Sequence, residues 1–524
     1  MRFVAVRGLP FIAAILVLKW ALLLVLFPKH PDIVVSPDTR TYVRPALSLL
    51  RAGVYAKSPV DLSRPEVNRT PGYPILIAAV YAVVGERVLA LAFVNTLLCA
   101  GTAVVLSATA ARLFGSGAAL WAAILFAIEP SNFHYSMMAL SDAPFVFVLS
   151  LAIWAFVRAA DRPGSVARWG AVGGLLAAAI LIRPLPYFLV PPAGLVAGWA
   201  ARKRTGSWAR GAAAALALLL PSLLLVGGWQ LRNLGRTGSA SISQVQDANL
   251  YFFRSARVVA ALERTSVLAV QERFGWKEFI YRLGYAEDEA SVFGARRYAD
   301  LYPETSRLTD AELAASWRKK ARAILAEHPG VALALILRDS VYFLFWPPAL
   351  IWSFHLGLFS PSPVLIDAIL SLHLPAAVRL LMADHQGVAF ACAATIPLLA
   401  SLYACAAWGI RETSRIPPLA RAGLLSLAGY LFAVTVVSEG ADDRLRIPLL
   451  LLVCLFASPT VARLLERPAP TALTAVPRSL SRSASREGVL RNLHQHRLAS
   501  HALLAIHPER RGDDHLPPLH RHDL

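Results

Sequence analysis

Charge is scarce in this chain. Asp, Glu, Lys and Arg make up 16% of its 524 residues, against about 25% in soluble domains. Hydrophobic residues make up 56%, and mean hydropathy is +0.53. That balance excludes an ordinary soluble globular protein and implies an integral membrane protein. Cysteine is scarcer still. Cys99, Cys392, Cys405 and Cys454 all lie inside apolar stretches, with no close pair. Their spacing argues against structural disulfides and zinc, and they read as small hydrophobes. There is no phosphate loop, dinucleotide fingerprint, zinc helix motif or nucleophile elbow. There is also no internal repeat of the kind that marks the related halves of many transporters. The formal net charge is +19, yet no nucleic-acid-binding module is present and the arginines are spread between apolar runs. That distribution suits orientation in a membrane and contact with anionic lipid, not nucleic acid.

What is present is a series of apolar segments. A crossing helix needs about 20 apolar residues. By that criterion candidates lie near 8–27, 88–111, 116–130, 143–158, 168–182, 185–200, 210–230, 331–352, 362–382, 388–410, 420–438 and 446–465. This predicts an all-α polytopic membrane protein of about 12 transmembrane helices. Residues 1–27 carry Arg2 and Arg7 ahead of an apolar run but no small-residue cleavage site, so they read as an uncleaved first span. Arg112, the group Arg158, Arg162 and Arg168, the group Arg202, Lys203, Arg204 and Arg210, the group Arg411, Arg415 and Arg421, and Arg463 with Arg467 all fit cytoplasmic connections if the N-terminus is inside. This topology requires 362–382 to cross, although it holds Asp367, His373 and Arg379; an interfacial segment is the alternative.

Three segments then lie outside: about 28–87, 130–143 and 232–330. Within the first, 39–52 has the pattern of an interfacial helix interrupted by Pro45, and 72–84 is apolar but too short to cross. The expected organisation is a transmembrane module at 1–231, an outer region at 232–330, further transmembrane helices at 331–466 and a cytoplasmic tail at 467–524. The tail is rich in Arg, Ser, Pro and His and predicts disorder.

The outer segments hold the residues with chemical potential. Asp38 lies in Ser36-Pro37-Asp38-Thr39-Arg40-Thr41-Tyr42, and Asp142 in Leu140-Ser141-Asp142-Ala143-Pro144. Each position fits a helix cap. Each also fits a general base that takes the proton from an attacking hydroxyl or amine. Arg69 precedes Pro71-Gly72-Tyr73-Pro74, where it can snorkel to headgroups or take a phosphate with its guanidinium fork. Arg183, Arg232 with Asn233, and Arg444 with Arg446 also fall on the outer side, against the inside bias. Charge kept in a disfavoured place is a functional hint, and together these arginines suggest an anion site. A polyprenyl phosphate would supply the anion and an apolar tail.

With these residues in view, the chain resembles the GT-C superfamily of membrane glycosyltransferases, above all the bacterial relatives of the protein O-mannosyltransferases and of the lipid A aminoarabinose transferase. The motifs that carry the resemblance are Asp38-Thr39-Arg40-Thr41-Tyr42, Arg69-Thr70-Pro71-Gly72-Tyr73-Pro74, Pro130 through Ser141-Asp142, Arg183-Pro184 and Trp229-Gln230-Leu231-Arg232-Asn233. They cover roughly residues 1–255. The resemblance implies a polyprenyl-phosphate sugar donor used at the outer face of a bacterial plasma membrane, with inversion by direct displacement. It implies Asp38 as catalytic carboxylate, Asp142 as a second acid and Arg69 near the carrier phosphate. It also places Tyr42, Tyr73, Arg183, Arg232 and Asn233 at the substrates. Thr39 stands where protein mannosyltransferases have a second acid, and no paired acidic motif marks a metal site, so no metal or other cofactor is expected. The alternatives are a transporter or flippase of lipid-linked sugars, which would need a midplane site open to both sides, and an assembly protein in which the acids are incidental.

Overall fold

Proline and glycine punctuation sets where the helices begin and end. The computed structural model describes residues 8–286, 289–371, 373–438 and 442–465. The tail expected to be disordered lies outside the described residues. Among the described residues the architecture is helical, with no strand beyond an isolated bridge between Ala56 and Pro65.

The N-terminal part runs α1 (Leu9–Leu26), α2 (Pro37–Ala52), α3 (Gly72–Val84), α4 (Val88–Phe114), α5 (Ser116–Ile128), α6 (Pro130–Tyr135), α7 (Asp142–Asp161), α8 (Val166–Ile182), α9 (Val190–Thr205) and α10 (Trp208–Thr237). Helix α2 is the amphipathic piece expected at 39–52. Pro37 occupies its first turn, and Gly53 ends it in the left-handed conformation. Helix α3 packs so closely on the end of α8 that a Cβ at Gly72 would lie 2.7 Å from the Leu181 carbonyl oxygen.

The stretch between α10 and α18 folds into a helical layer: α11 (Val245–Asn249), α12 (Ala256–Glu263), α13 (Val267–Phe274), α14 (Trp276–Arg282), α15 (Ala290–Phe293), α16 (Tyr298–Leu301) and α17 (Asp310–Glu327), with a π-helical stretch at Leu250–Ser255. Phe252, Phe279 and Trp317 form its aromatic core. Buried Lys57 ties this layer to the connection between α2 and α3 through the Arg282 carbonyl (2.7 Å) and the Asp310 carboxylate, which also pairs with Arg282 and Arg64.

The chain continues through α18 (Pro329–Phe345), α19 (Pro348–His355), α20 (Pro363–Leu370), α21 (Leu374–Asp384), α22 (Gln386–Ile410), α23 (Pro418–Ser438) and α24 (Asp443–Leu465). Among the described residues, seven helices are long and apolar enough to cross a membrane: α1, α4, α7, α10, α22, α23 and α24. An eighth span results if α17 and α18, bent by 97°, count together. The expected count of about 12 is therefore not reached by length and composition. Residues 362–382 form no single span: Pro375 in the first turn of α21 starts a new helix, leaving pieces of 8 and 11 residues. Pro347 and Pro348 likewise divide 331–352 between α18 and α19. Helix α24 is the most enclosed span, with Ile447 through Thr460 all buried among α4, α5, α7 and α22.

Candidate active site

The expected acids converge. Helices α2, α7 and α24 each begin at this point, and α8 ends there. The far ends of α7 and α24 carry the more exposed pairs Arg112–Asp161 and Arg463–Glu412. Asp38, Asp142 and Arg69 therefore share one end of the bundle.

Asp38 does not cap its helix. Ser36 does, in a capping box in which the Thr39 hydroxyl accepts from the Ser36 amide at 3.0 Å. The Asp38 carboxylate is left to accept from Arg69 (2.6 Å) and Tyr285 (3.1 Å) on Oδ1, and from Arg444 (2.6 Å) on Oδ2. Asp142, in the first turn of α7, accepts from Arg183 on Oδ1 (2.5 Å) and Arg444 on Oδ2 (2.9 Å). The result is a chain of alternating charge: Arg69, Asp38, Arg444, Asp142, Arg183. Three guanidinium groups against two carboxylates leave it one positive charge in excess. The Asp38 side chain is 21% exposed and the Asp142 side chain 2%. A ligand can reach the first acid and not the second. Burial favours the neutral form of Asp38, but Arg69 and Arg444 outweigh it and hold the carboxyl well below the usual carboxylate range.

Local structure fixes the arginines. Glu66 accepts from the amides of Asn68 and Arg69, the latter at 2.8 Å, and shapes the turn before α3. The Arg69 guanidinium then donates to the hydroxyls of Thr41 (2.8 Å) and Tyr42 (3.1 Å) and lies over the Tyr42 ring at 4.4 Å. Thr70 donates to the Ile182 carbonyl (3.0 Å), tying that turn to the residue before Arg183. Asn95, in the middle of α4, donates to the carbonyls of Met138 (2.7 Å) and Leu140 (2.9 Å) and so sets the loop that presents Ser141 and Asp142. Tyr42 and Ser141 hydroxyls meet at 3.0 Å across the acids.

A cavity of about 340 Å³ adjoins this charge chain. Tyr42, Arg69 and Arg183 form a polar end, and Leu185, Phe188 and Val437 contribute to an apolar wall. Asp38, Asp142 and Arg444 lie behind these arginines and do not line the cavity, nor do Tyr73, Arg232 and Asn233. Tyr73 is buried, accepts from Asn95 (3.3 Å) and packs edge-on against Tyr42. Arg232 donates to the carbonyls of Glu66 (2.6 Å) and Tyr55 (2.8 Å), supporting the loop that carries Arg69. Asn233 donates to the Ser241 carbonyl (2.8 Å). Arg446, grouped with the outer arginines by sequence, is fully buried and clamps the carbonyls of Phe343, Leu344 and Trp346. Sequence reasoning noted Arg444 as one outer arginine among several and missed its bridging position. It missed Tyr285 and Asn95 altogether. The carboxylate beside an apolar run signalled Asp38, whereas a lone tyrosine in a loop carries no comparable signal.

Residues 68–225 match the dolichyl-phosphate-mannose-protein mannosyltransferase family. That stretch is mannosyltransferase-like. It contains Arg69, Asp142 and Arg183, while Asp38, Tyr285 and Arg444 lie outside it. The chain is thereby similar to GT-C membrane glycosyltransferases, as the motifs implied. Among solved structures, ArnT from Cupriavidus metallidurans bound to undecaprenyl phosphate matches at 19% identity and a TM-score of 0.33, over 85% of this chain and 77% of that one. The archaeal oligosaccharyltransferase AglB from Archaeoglobus fulgidus, in complex with an inhibitory peptide and a dolichol-phosphate, matches at 12% identity and a TM-score of 0.41. The alignment covers 95% of this chain and 52% of AglB, so the chain spans about half the length of that protein. Comparison with curated proteins finds no match.

Proposed function

We propose that the chain is a membrane glycosyltransferase that moves a sugar from a polyprenyl-phosphate donor to an acceptor at the outer membrane face, with Asp38 as the catalytic carboxylate. The observation that carries this reading is the charge chain from Arg69 to Arg183, whose two terminal arginines line a partly apolar cavity. A lipid phosphate needs both features: guanidinium forks for the anion and an apolar wall for the first prenyl units.

The acceptor's nucleophilic atom attacks the anomeric carbon, and the bond from that carbon to the phosphate oxygen breaks. The electron pair leaves with the polyprenyl phosphate, and the acceptor proton passes to Asp38. Arginines already aimed at the departing phosphate stabilise the charge that develops on it. Without ligand, both oxygens of Asp38 are held by arginine and it is a poor base. Donor phosphate competes for Arg69 and Arg444, which frees a lone pair on Asp38 as the site fills. Asp142, nearly inaccessible, acts as a positioning residue that orients Arg183 and Arg444. Tyr73, Arg232 and Asn233 support the site from behind.

The test is transfer from a panel of polyprenyl-phosphate sugars in purified membranes. Wild type should transfer one of them, and Asp38→Asn should lose on the order of 10²-fold or more while remaining folded and inserted. Arg69→Ala should raise the apparent KM for donor more than for acceptor. Full activity in Asp38→Asn removes the base assignment. No transfer by either protein, with lipid-linked sugar crossing vesicle membranes, moves the reading to a transporter.

A further inference from the structure

A second cavity, of about 650 Å³, lies between α12, α18 and the link from α20 to α21. Arg257, Arg264 and Arg338 face it, along with Ser266, Asp367 and His373. Asp367 is the single carboxylate among its described lining residues, and it is already engaged. Its Oδ1 accepts from the Ser266 hydroxyl (2.7 Å) and the Leu268 amide (3.4 Å).

Arg257 is also engaged. It shares buried Asp339 with Arg254, at 2.9 and 2.5 Å, and donates to the Leu370 carbonyl at 2.9 Å. Asp339 therefore already serves two arginines, and Arg264 and Arg338 have no carboxylate partner among the described residues. The Nε of Arg338 is buried without a hydrogen bond. Arg264 ends α12 in the left-handed conformation, φ 53°, where glycine is the usual residue. Arg264 is exposed and Arg338 half-buried, and three guanidinium groups against one carboxylate leave this wall with a net positive excess that an anion would offset.

The neighbouring surface indicates where that anion comes from. Leu333, Leu337 and Val341 are exposed and follow one another at four-residue spacing along α18. They form an apolar stripe whose middle member, Leu337, is next to Arg338 in sequence, and Val364 on α20 and Leu374 on α21 are also exposed. Guanidinium groups beside an outward apolar stripe suit a headgroup phosphate with its acyl chains alongside. We propose that this cavity binds the phosphate group of an anionic membrane phospholipid, separately from the donor site.

The test uses the purified full chain and native mass spectrometry in detergent with added phosphatidylglycerol, phosphatidylcholine or inorganic phosphate. Phosphatidylglycerol should be retained at about 10-fold lower concentration than phosphatidylcholine, the scale of one charge-assisted contact. Arg264→Gly removes a charge while suiting the left-handed backbone, so loss of fold does not confound it. This variant and Arg338→Gln should each erase most of that preference, whereas Arg69→Ala at the donor site should leave it intact. Equal retention of the two lipids by wild type, or undiminished preference in Arg264→Gly, overturns the proposal. Binding of inorganic phosphate with the same sensitivity to Arg264→Gly, without lipid retention, overturns the lipid source.

Discussion

Asp38 and Asp142, at the starts of two separate helices, share one arginine: Arg444 donates to the first at 2.6 Å and to the second at 2.9 Å. The two acids thereby behave as one unit. Whatever takes hold of Arg444 changes the surroundings of both.

Replacing Arg444 should accordingly be costlier than replacing a surface cation. Arg444→Gln leaves buried Asp142 with one arginine, and breaking a buried pair costs about 3–5 kcal/mol. Transfer should fall on the order of 100-fold, with a lower melting temperature. Arg444→Lys should restore little, because an ammonium does not reproduce the planar fork that spans two carboxylates. Steady-state kinetics with thermal unfolding of both variants checks this; a fully active Arg444→Lys would remove the bridge from the argument.

Tyr285 contributes to the site from the helical layer between α10 and α18. Its hydroxyl donates to Asp38 at 3.1 Å, while its ring stacks on Phe279. Tyr285→Phe keeps the ring and deletes two hydrogen bonds to charged groups, the one to Asp38 and one accepted from Arg69 at 3.3 Å, each worth about 1.5 kcal/mol. A kcat lower by roughly 10-fold or more, with a slightly lower melting temperature, is expected. An unaltered kcat would assign the tyrosine to packing alone.

Asp310 links the helical layer at 245–327 to the connection between α2 and α3, and its contribution depends on pH. Burial favours its neutral form, but Lys57 and Arg282 outweigh that and bring its pKa down to about 2. An unfolded aspartate titrates near about 3.9. The stabilisation is therefore present above that value and is lost as pH falls toward 2. Asp310→Asn should be less stable than wild type by on the order of 2 kcal/mol at pH 7, and the gap should close in acid. Unfolding measured at pH 7, 4 and 2.5 tests the sign; a gap that widens in acid contradicts the pairing.

Gly409 marks the closest approach of α22 to α24. A Cβ there would lie 1.8 Å from the Phe456 carbonyl oxygen. Gly409→Ala must push the two helices apart, at about 1–3 kcal/mol. A reduced yield of folded protein and a lower melting temperature are expected, without a specific change in donor KM. Wild-type stability in this variant would show that the contact yields.

The helical class, the amphipathic α2 and the choice of Asp38 and Arg69 as candidates were legible in the chain. Local rules sufficed there: run length, Pro37 in the first turn and Gly53 after the last, and a cation in a Pro-Gly turn. The crossing count and the C-terminal contribution were not. Hydropathy scores α24 much like α10, yet the first is enclosed by protein and the second is largely exposed. Apolarity alone does not distinguish a surface that faces lipid from one that faces other helices.

The sequence by itself determined that this is an all-α, multi-span protein with acids and arginines at the edges of its apolar runs. Side-chain burial cost and helix geometry act over neighbouring residues and are written locally. Tertiary structure decided which of those charges meet. Arg444 reaches an acid 406 positions away, whereas Arg232 and Arg446, equally conspicuous in the chain, turn to backbone carbonyls instead. Which partner a charge finds depends on how helices distant in sequence pack together, and composition and periodicity do not encode that choice.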